Sequence, residues 1–146
     1  MQRVVLEQRL AFVATVTADG RPNVSPKGTT TVWDDERLMF AELASPGTVA
    51  NLAANRHVEV NAVDPILRKG FRFKGVGSVY TSGEMFERGL QILRQRGSSA
   101  TRQRVRSIVM IEVTSADALI SPAYDDGTAE DTVVALWMQH YSELHG

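Results

Sequence analysis

Two stretches of the chain combine residue types that could do chemistry. In Ser45-Pro46-Gly47-Thr48, with Asn51 one turn further on, serine suits a helix cap, proline the first helical position and glycine a close backbone approach. The free amides and positive dipole end of a helix start bind phosphate, and the Thr48 hydroxyl and Asn51 amide are spaced to face the same anion. An ordinary capped helix is the other reading of these residues. In Asn23-Val24-Ser25-Pro26-Lys27-Gly28-Thr29-Thr30-Thr31, a proline, a glycine and several polar side chains interrupt what should be an interior strand. A flat heteroaromatic ligand lying on that strand would bond through exposed backbone groups and polar side chains, with Pro26 and Gly28 allowing a bulge. An irregular edge strand beside solvent has the same composition.

Lys27, Lys69, Arg72 and Lys74 could supply positive charge to a phosphate, or to a cofactor ring that gains negative charge on reduction. Each also reads as a solvated surface charge. Arg72 and Lys74 share a parity and so project from one face of their strand. Lys27 is the one candidate for electrostatic help in a reaction, and no residue stands out as a general acid or base. His57, His140 and His145 lack metal-ligand spacing, so no metal site is expected and His57 reads as structural or solvated. Dinucleotide, Walker-type and nucleophile-elbow glycine motifs are all absent.

These residues need a frame. Leu10 to Thr17 is apolar and β-branched and ends at Asp19-Gly20, a tight-turn dipeptide, so a return strand is expected from about Pro22 to Trp33. A polar turn at 34–37 precedes a third strand, Leu38 to Ala41. A helix of about two turns follows from Ser45 to Asn55, then alternating strands His57–Asp64 and Phe71–Tyr80 across a basic loop. Phe86, Leu90 and Leu93 form an apolar stripe on a helix from Gly83 to Arg96. Ser107 to Val113 reads as a final strand, and Thr128 to Leu144 as a last helix carrying Val133, Trp137, Tyr141 and Leu144 on one face. The Trp137 and Tyr141 stripe reads as packing, or as a cover over a partner's ligand site. Short strands without early helical crossovers indicate an antiparallel sheet; a small barrel with attached helices is favoured over an open α+β sheet because closure removes exposed edges.

The chain has 146 residues, 43% hydrophobic and 23% charged, so a single domain spanning 1–146 is expected, with 121–146 as a C-terminal tail and helix. Without cysteine, disulfides and thiolate chemistry are excluded. A net charge of -1 gives no overall field for nucleic acid, although basic residues cluster at 68–74 and 94–106. No membrane span or export signal is evident, so a cytoplasmic protein with no nucleic-acid or membrane partner is expected.

From about Leu6 to Leu119 the succession of motifs resembles the FMN-binding split-barrel family, which includes pyridoxamine 5′-phosphate oxidase. The resemblance rests on the opening strand Leu10 to Thr17, the Asp19-Gly20-Arg21-Pro22 turn, the interrupted strand, Leu38-Met39-Phe40, Ser45-Pro46-Gly47-Thr48-Val49-Ala50-Asn51-Leu52 and His57-Val58-Glu59-Val60. It implies a mainly β fold with flanking helices, a six-stranded antiparallel split barrel, and a homodimer in which each flavin mononucleotide (FMN) touches both chains. It places Ser25, Pro26, Lys27 and Gly28 along the flavin ring, and Thr48 and Asn51 on the phosphate. With their neighbours Thr29, Ser45 and Gly47, and with Arg72, these form the expected cofactor-binding set. The implied activity is an FMN-dependent oxidoreductase acting with a small-molecule substrate or electron donor. The tail lacks the Arg-x-His type segment of authentic pyridoxamine 5′-phosphate oxidases, so that substrate is not expected. A deazaflavin-dependent reductase and a non-catalytic flavin carrier or sensor are the alternatives on the same fold.

Overall fold

A computed structural model describes residues 1–146. β1 (Ala11–Val16) buries Ala11, Val13 and Thr15 and turns Phe12 outward, the two-residue period of a strand with one face on a core. Gly20 takes φ 83° in the turn that follows, and β2 (Pro22–Lys27) returns antiparallel along β1.

The strand expected from Pro22 to Trp33 divides here. After β2, residues 28–30 turn a corner, and β3 (Thr31–Val32) pairs with β4 (Arg37–Glu42) at the opposite end of the sheet. With β5 (His57–Asp64), β6 (Lys69–Tyr80) and β7 (Ser107–Ile120), the strand order is β2-β1-β5-β6-β7-β4-β3. Both edge strands are thus consecutive in the chain. A connection this short forces the antiparallel sheet to curl until its edges approach, giving a half-barrel with flanking helices. The fold class is as expected; seven strands replace six because the corner splits one of them. Threonines secure the corner: the Thr29 hydroxyl donates to Ala41 O at 3.0 Å and accepts the Ala41 amide at 2.9 Å, and the Thr30 hydroxyl donates to Lys27 O at 3.0 Å.

Two cores flank β4, whose Leu38 and Phe40 face the barrel interior with Val13, Val60 and Ile111. Met39 and Ala41 face the other way, under α3 (Gly83–Gln95), whose stripe Phe86, Leu90 and Leu93 is buried as its spacing predicts. α1 (Gln2–Gln8), not anticipated from sequence, inserts Val5 into the barrel core. α2 (Pro46–Ala54) buries Thr48, Asn51 and Leu52. α4 (Glu130–His145) follows a 3-10 turn at Pro122–Tyr124 and buries Val133 alone, so Trp137 and Tyr141 pack along their own helix rather than in a core. No helix is long and apolar enough to cross a membrane.

Candidate functional site

The register of β1 with β2 sets the site. Directly paired residues point to one face, so Lys27 opposite Ala11, Ser25 opposite Val13 and Asn23 opposite Thr15 form an inward polar row on an edge strand. Pro26 and Gly28 are exposed beside it. Lys27 is only 5% exposed, yet it has no carboxylate within salt-bridge distance and makes no side-chain hydrogen bond; its ammonium lies 5.5 Å from the centroid of the Phe40 ring. Burial lowers its pKa from the ordinary lysine value, with the charge of Glu42 acting in the opposite direction.

Glu42 ends β4 and is 2% exposed. Its carboxylate accepts the Ser45 backbone N–H at the start of α2. The charge of Glu42 thus acts on both Lys27 and the helix start, which are separated by almost twenty residues. Sequence alone does not single out this residue; its one signal is an acid three positions before the Ser-Pro helix start, where a carboxylate complements free amides.

The Thr48 amide donates to Ser45 O at 3.1 Å, and three other donors of that helix turn are free. The Ser45 side chain makes no capping bond, the exposed Gly47 amide has no partner, and the Thr48 hydroxyl forms no hydrogen bond within the chain. A Cβ at Gly47 would meet nothing within 4 Å, so the backbone is open to a ligand. Asn51, expected beside Thr48 on one anion, instead donates to Thr15 Oγ1 at 3.0 Å, and Asn23 donates to the same oxygen at 3.4 Å. Asn51 thus ties α2 to β1 and to the inward row.

The other cations lie elsewhere. Arg72 and Lys74 do share a face, each 3.7 Å from the carboxylate of Glu59. Arg72 aligns through Asn61 and Phe12 with Pro26, on the outward side of the sheet and opposite to Lys27. Lys69 bonds Glu130 and lies 4.3 Å from the Tyr124 ring centroid, fastening the start of α4. The structure therefore gathers Ser25, Lys27, Ser45, Gly47, Thr48 and Asn51 into one region, with Pro26, Gly28 and Thr29 along its rim, and separates Arg72 from it. Gly28 and Thr29 also border a cleft of about 400 Å³ that reaches α1 and the end of α3.

Such a region can hold an anion on hydroxyl and amide donors while a buried ammonium faces an electron-rich partner. The chain is similar to several known proteins. The family model described as pyridoxamine 5′-phosphate oxidase matches residues 1–119. HupZ from Group A Streptococcus is 30% identical over 83% of this chain and 92% of its own, with a TM-score of 0.72. An FMN-binding protein from Syntrophomonas wolfei subsp. wolfei shares the fold at 16% identity and TM-score 0.62, covering 81% of this chain and 88% of its own. HutZ, the heme storage protein from Vibrio cholerae, does so at 20% identity and TM-score 0.63, over 81% and 89%. No curated protein matches the chain.

Proposed function

The chain belongs to the pyridoxamine 5′-phosphate oxidase family, and on that premise we propose that it is a flavoprotein oxidoreductase that binds FMN and works as a homodimer on a small molecule. The observation that carries this reading is Lys27, a buried cation with no ion-pair partner. A buried charge is costly unless compensated, so its place calls for an electron-rich or anionic group. The chemistry of the donor set fits FMN at both ends. Ser25, Lys27 and the Gly28-Thr29 corner would hold the ring, and the Ser45 hydroxyl, Gly47 amide and Thr48 hydroxyl are free donors that would hold the phosphate.

When bound, FMN supplies hydride or electron transfer at its ring. The chain's own contributions are positional and electrostatic. Lys27 would offer a positive charge to a ring that gains negative charge on reduction, in surroundings from which water is largely excluded. Thr29 fixes the corner through the Ala41 backbone, and Asn51 fixes α2 through Thr15. The charge of Glu42 favours the protonated form of Lys27, against the larger effect of burial. The homodimer reading is supported by Leu10, Phe12 and Val24, which expose 47%, 49% and 59% of their surface at and beside the outward face of β1 and β2, next to the site.

Titration of FMN and riboflavin side by side, followed by flavin fluorescence, tests the reading. FMN should bind more tightly than riboflavin, Lys27→Gln should weaken both, and Thr48→Val should weaken FMN alone. Equal affinities for FMN and riboflavin, or no change in fluorescence with either, would refute the proposed phosphate grip and ring site.

A further inference from the structure

The cleft of about 400 Å³ beside the β2–β3 corner has a charge pattern that the flavin site does not use. Arg9 lines it from the end of α1, Arg96 from the end of α3, and Arg104 from the following loop, while none of its lining residues is an aspartate or glutamate. All three arginines are exposed and none forms a salt bridge, so their guanidiniums are available to a ligand in the cleft. Like charges lining one concavity repel one another, and an anion bound among them relieves that repulsion.

The backbone is shaped to bring them together. Arg9 caps α1 with φ 52° and ψ 21°, a conformation that residues with a Cβ seldom adopt. Gly97 takes φ 67° after α3, and the Gly97 and Ser98 amides bond back to Arg94 O and Leu93 O, each at 3.0 Å. That closure turns the segment 97–100 into the cleft wall, beside Arg96. Leu6 and Leu93 add apolar wall, so the cleft can take an organic molecule with a charged end.

We propose that this cleft binds the oxyanion group, phosphate or carboxylate, of a small-molecule substrate. Arg9, Arg96 and Arg104 grip the anion, and the rest of the molecule extends along Gly28 and Thr29 toward the Lys27 region. The identity of the occupant as a substrate rests on the flavin reading above; the anion site itself does not.

The test follows the backbone amides of Gly28 and Gly97 by heteronuclear NMR, with and without FMN, on addition of inorganic phosphate, succinate or chloride at matched ionic strength. Phosphate or succinate should shift both signals saturably and chloride should not, and the tighter of the two names the chemical class. Arg9→Gln/Arg96→Gln/Arg104→Gln should weaken binding about tenfold or more. The single Arg96→Gln and Arg104→Gln variants should do so partially, and Arg3→Gln should leave it unchanged. A chloride response equal to that of phosphate, or full affinity in the triple variant, would overturn the site. Loss of the phosphate response on loading with FMN would overturn the substrate assignment by giving the cleft to the flavin's own phosphate. A protein that takes up no FMN yet keeps the phosphate response would sink the flavin reading and leave the anion site standing.

Discussion

The carboxylate of Glu42 accepts the backbone N–H of Ser45, which places an internal anion at the start of α2. The same carboxylate supports the charge of Lys27 across the strand end. One buried acid thus couples the two stretches that carry the candidate site, and its removal should affect them differently.

Glu42→Gln keeps an acceptor for the Ser45 amide but removes the charge. A phosphate on the neighbouring donors then meets no negative neighbour, so FMN should bind about two- to fivefold more tightly, on about 0.3–1 kcal/mol for a charge at a helix end. Riboflavin, which has no phosphate, should show no such gain. A gain shared by both ligands would contradict this account of Glu42.

Lys27 has a pH signature. Its folded-state pKa lies below the unfolded value of 10.5, so between the two the unfolded chain binds more protons, and stability rises with pH through that window. Urea denaturation at neutral pH and near the ordinary lysine value should show wild type gaining stability relative to Lys27→Met as pH rises. Parallel pH profiles for the two proteins would mean that Lys27 carries no burial penalty.

Gly89 faces Ile108, and a Cβ there would meet the Ile108 side chain at 2.7 Å. Alanine favours a helix by about 1 kcal/mol over glycine, but overpacking costs about 1–3 kcal/mol. Gly89→Ala should therefore lose about 1 kcal/mol net, read as a lower urea midpoint at unchanged slope. A stabilised variant would show that α3 can shift on β7.

α4 tests a division between fold and cofactor retention. It is held by buried Val133, the Lys69–Glu130 pair and the Arg68 guanidinium 4.1 Å from the centroid of the Trp137 ring. Deleting residues 128–146 removes these few contacts and should weaken flavin retention more than it lowers the thermal midpoint, because most of the helix buries nothing against its own barrel. Unchanged flavin affinity in the folded truncation would reject a covering role for the helix.

Much of this frame is legible in the residues. The Asp19-Gly20 turn, the alternation of His57 to Asp64 and the Phe86-Leu90-Leu93 stripe are local patterns that tertiary contacts reinforce. α1 escapes because a helix of seven residues is marginal alone and forms by burying Val5. β7 runs on to Ile120, beyond its apolar stretch, because the long partner β6 continues to pair with it. The split at residues 28–30 is hidden because polar threonines signal an interruption but not the edge to which the chain crosses. In the site, donor types at Ser45, Gly47 and Thr48 are visible in sequence. The diversion of Asn51 to Thr15 and the influence of the Glu42 charge on Lys27 depend on pairing across distant strands.

The absorbance spectrum of the purified protein, before and after addition of FMN and desalting, with the released cofactor identified by mass, tests the central claim most directly. The account predicts a retained flavin spectrum, one FMN per chain, and loss of that flavin in Lys27→Gln. A folded protein that stays colourless after FMN addition, or that shows a heme Soret band in place of flavin absorbance, would contradict it.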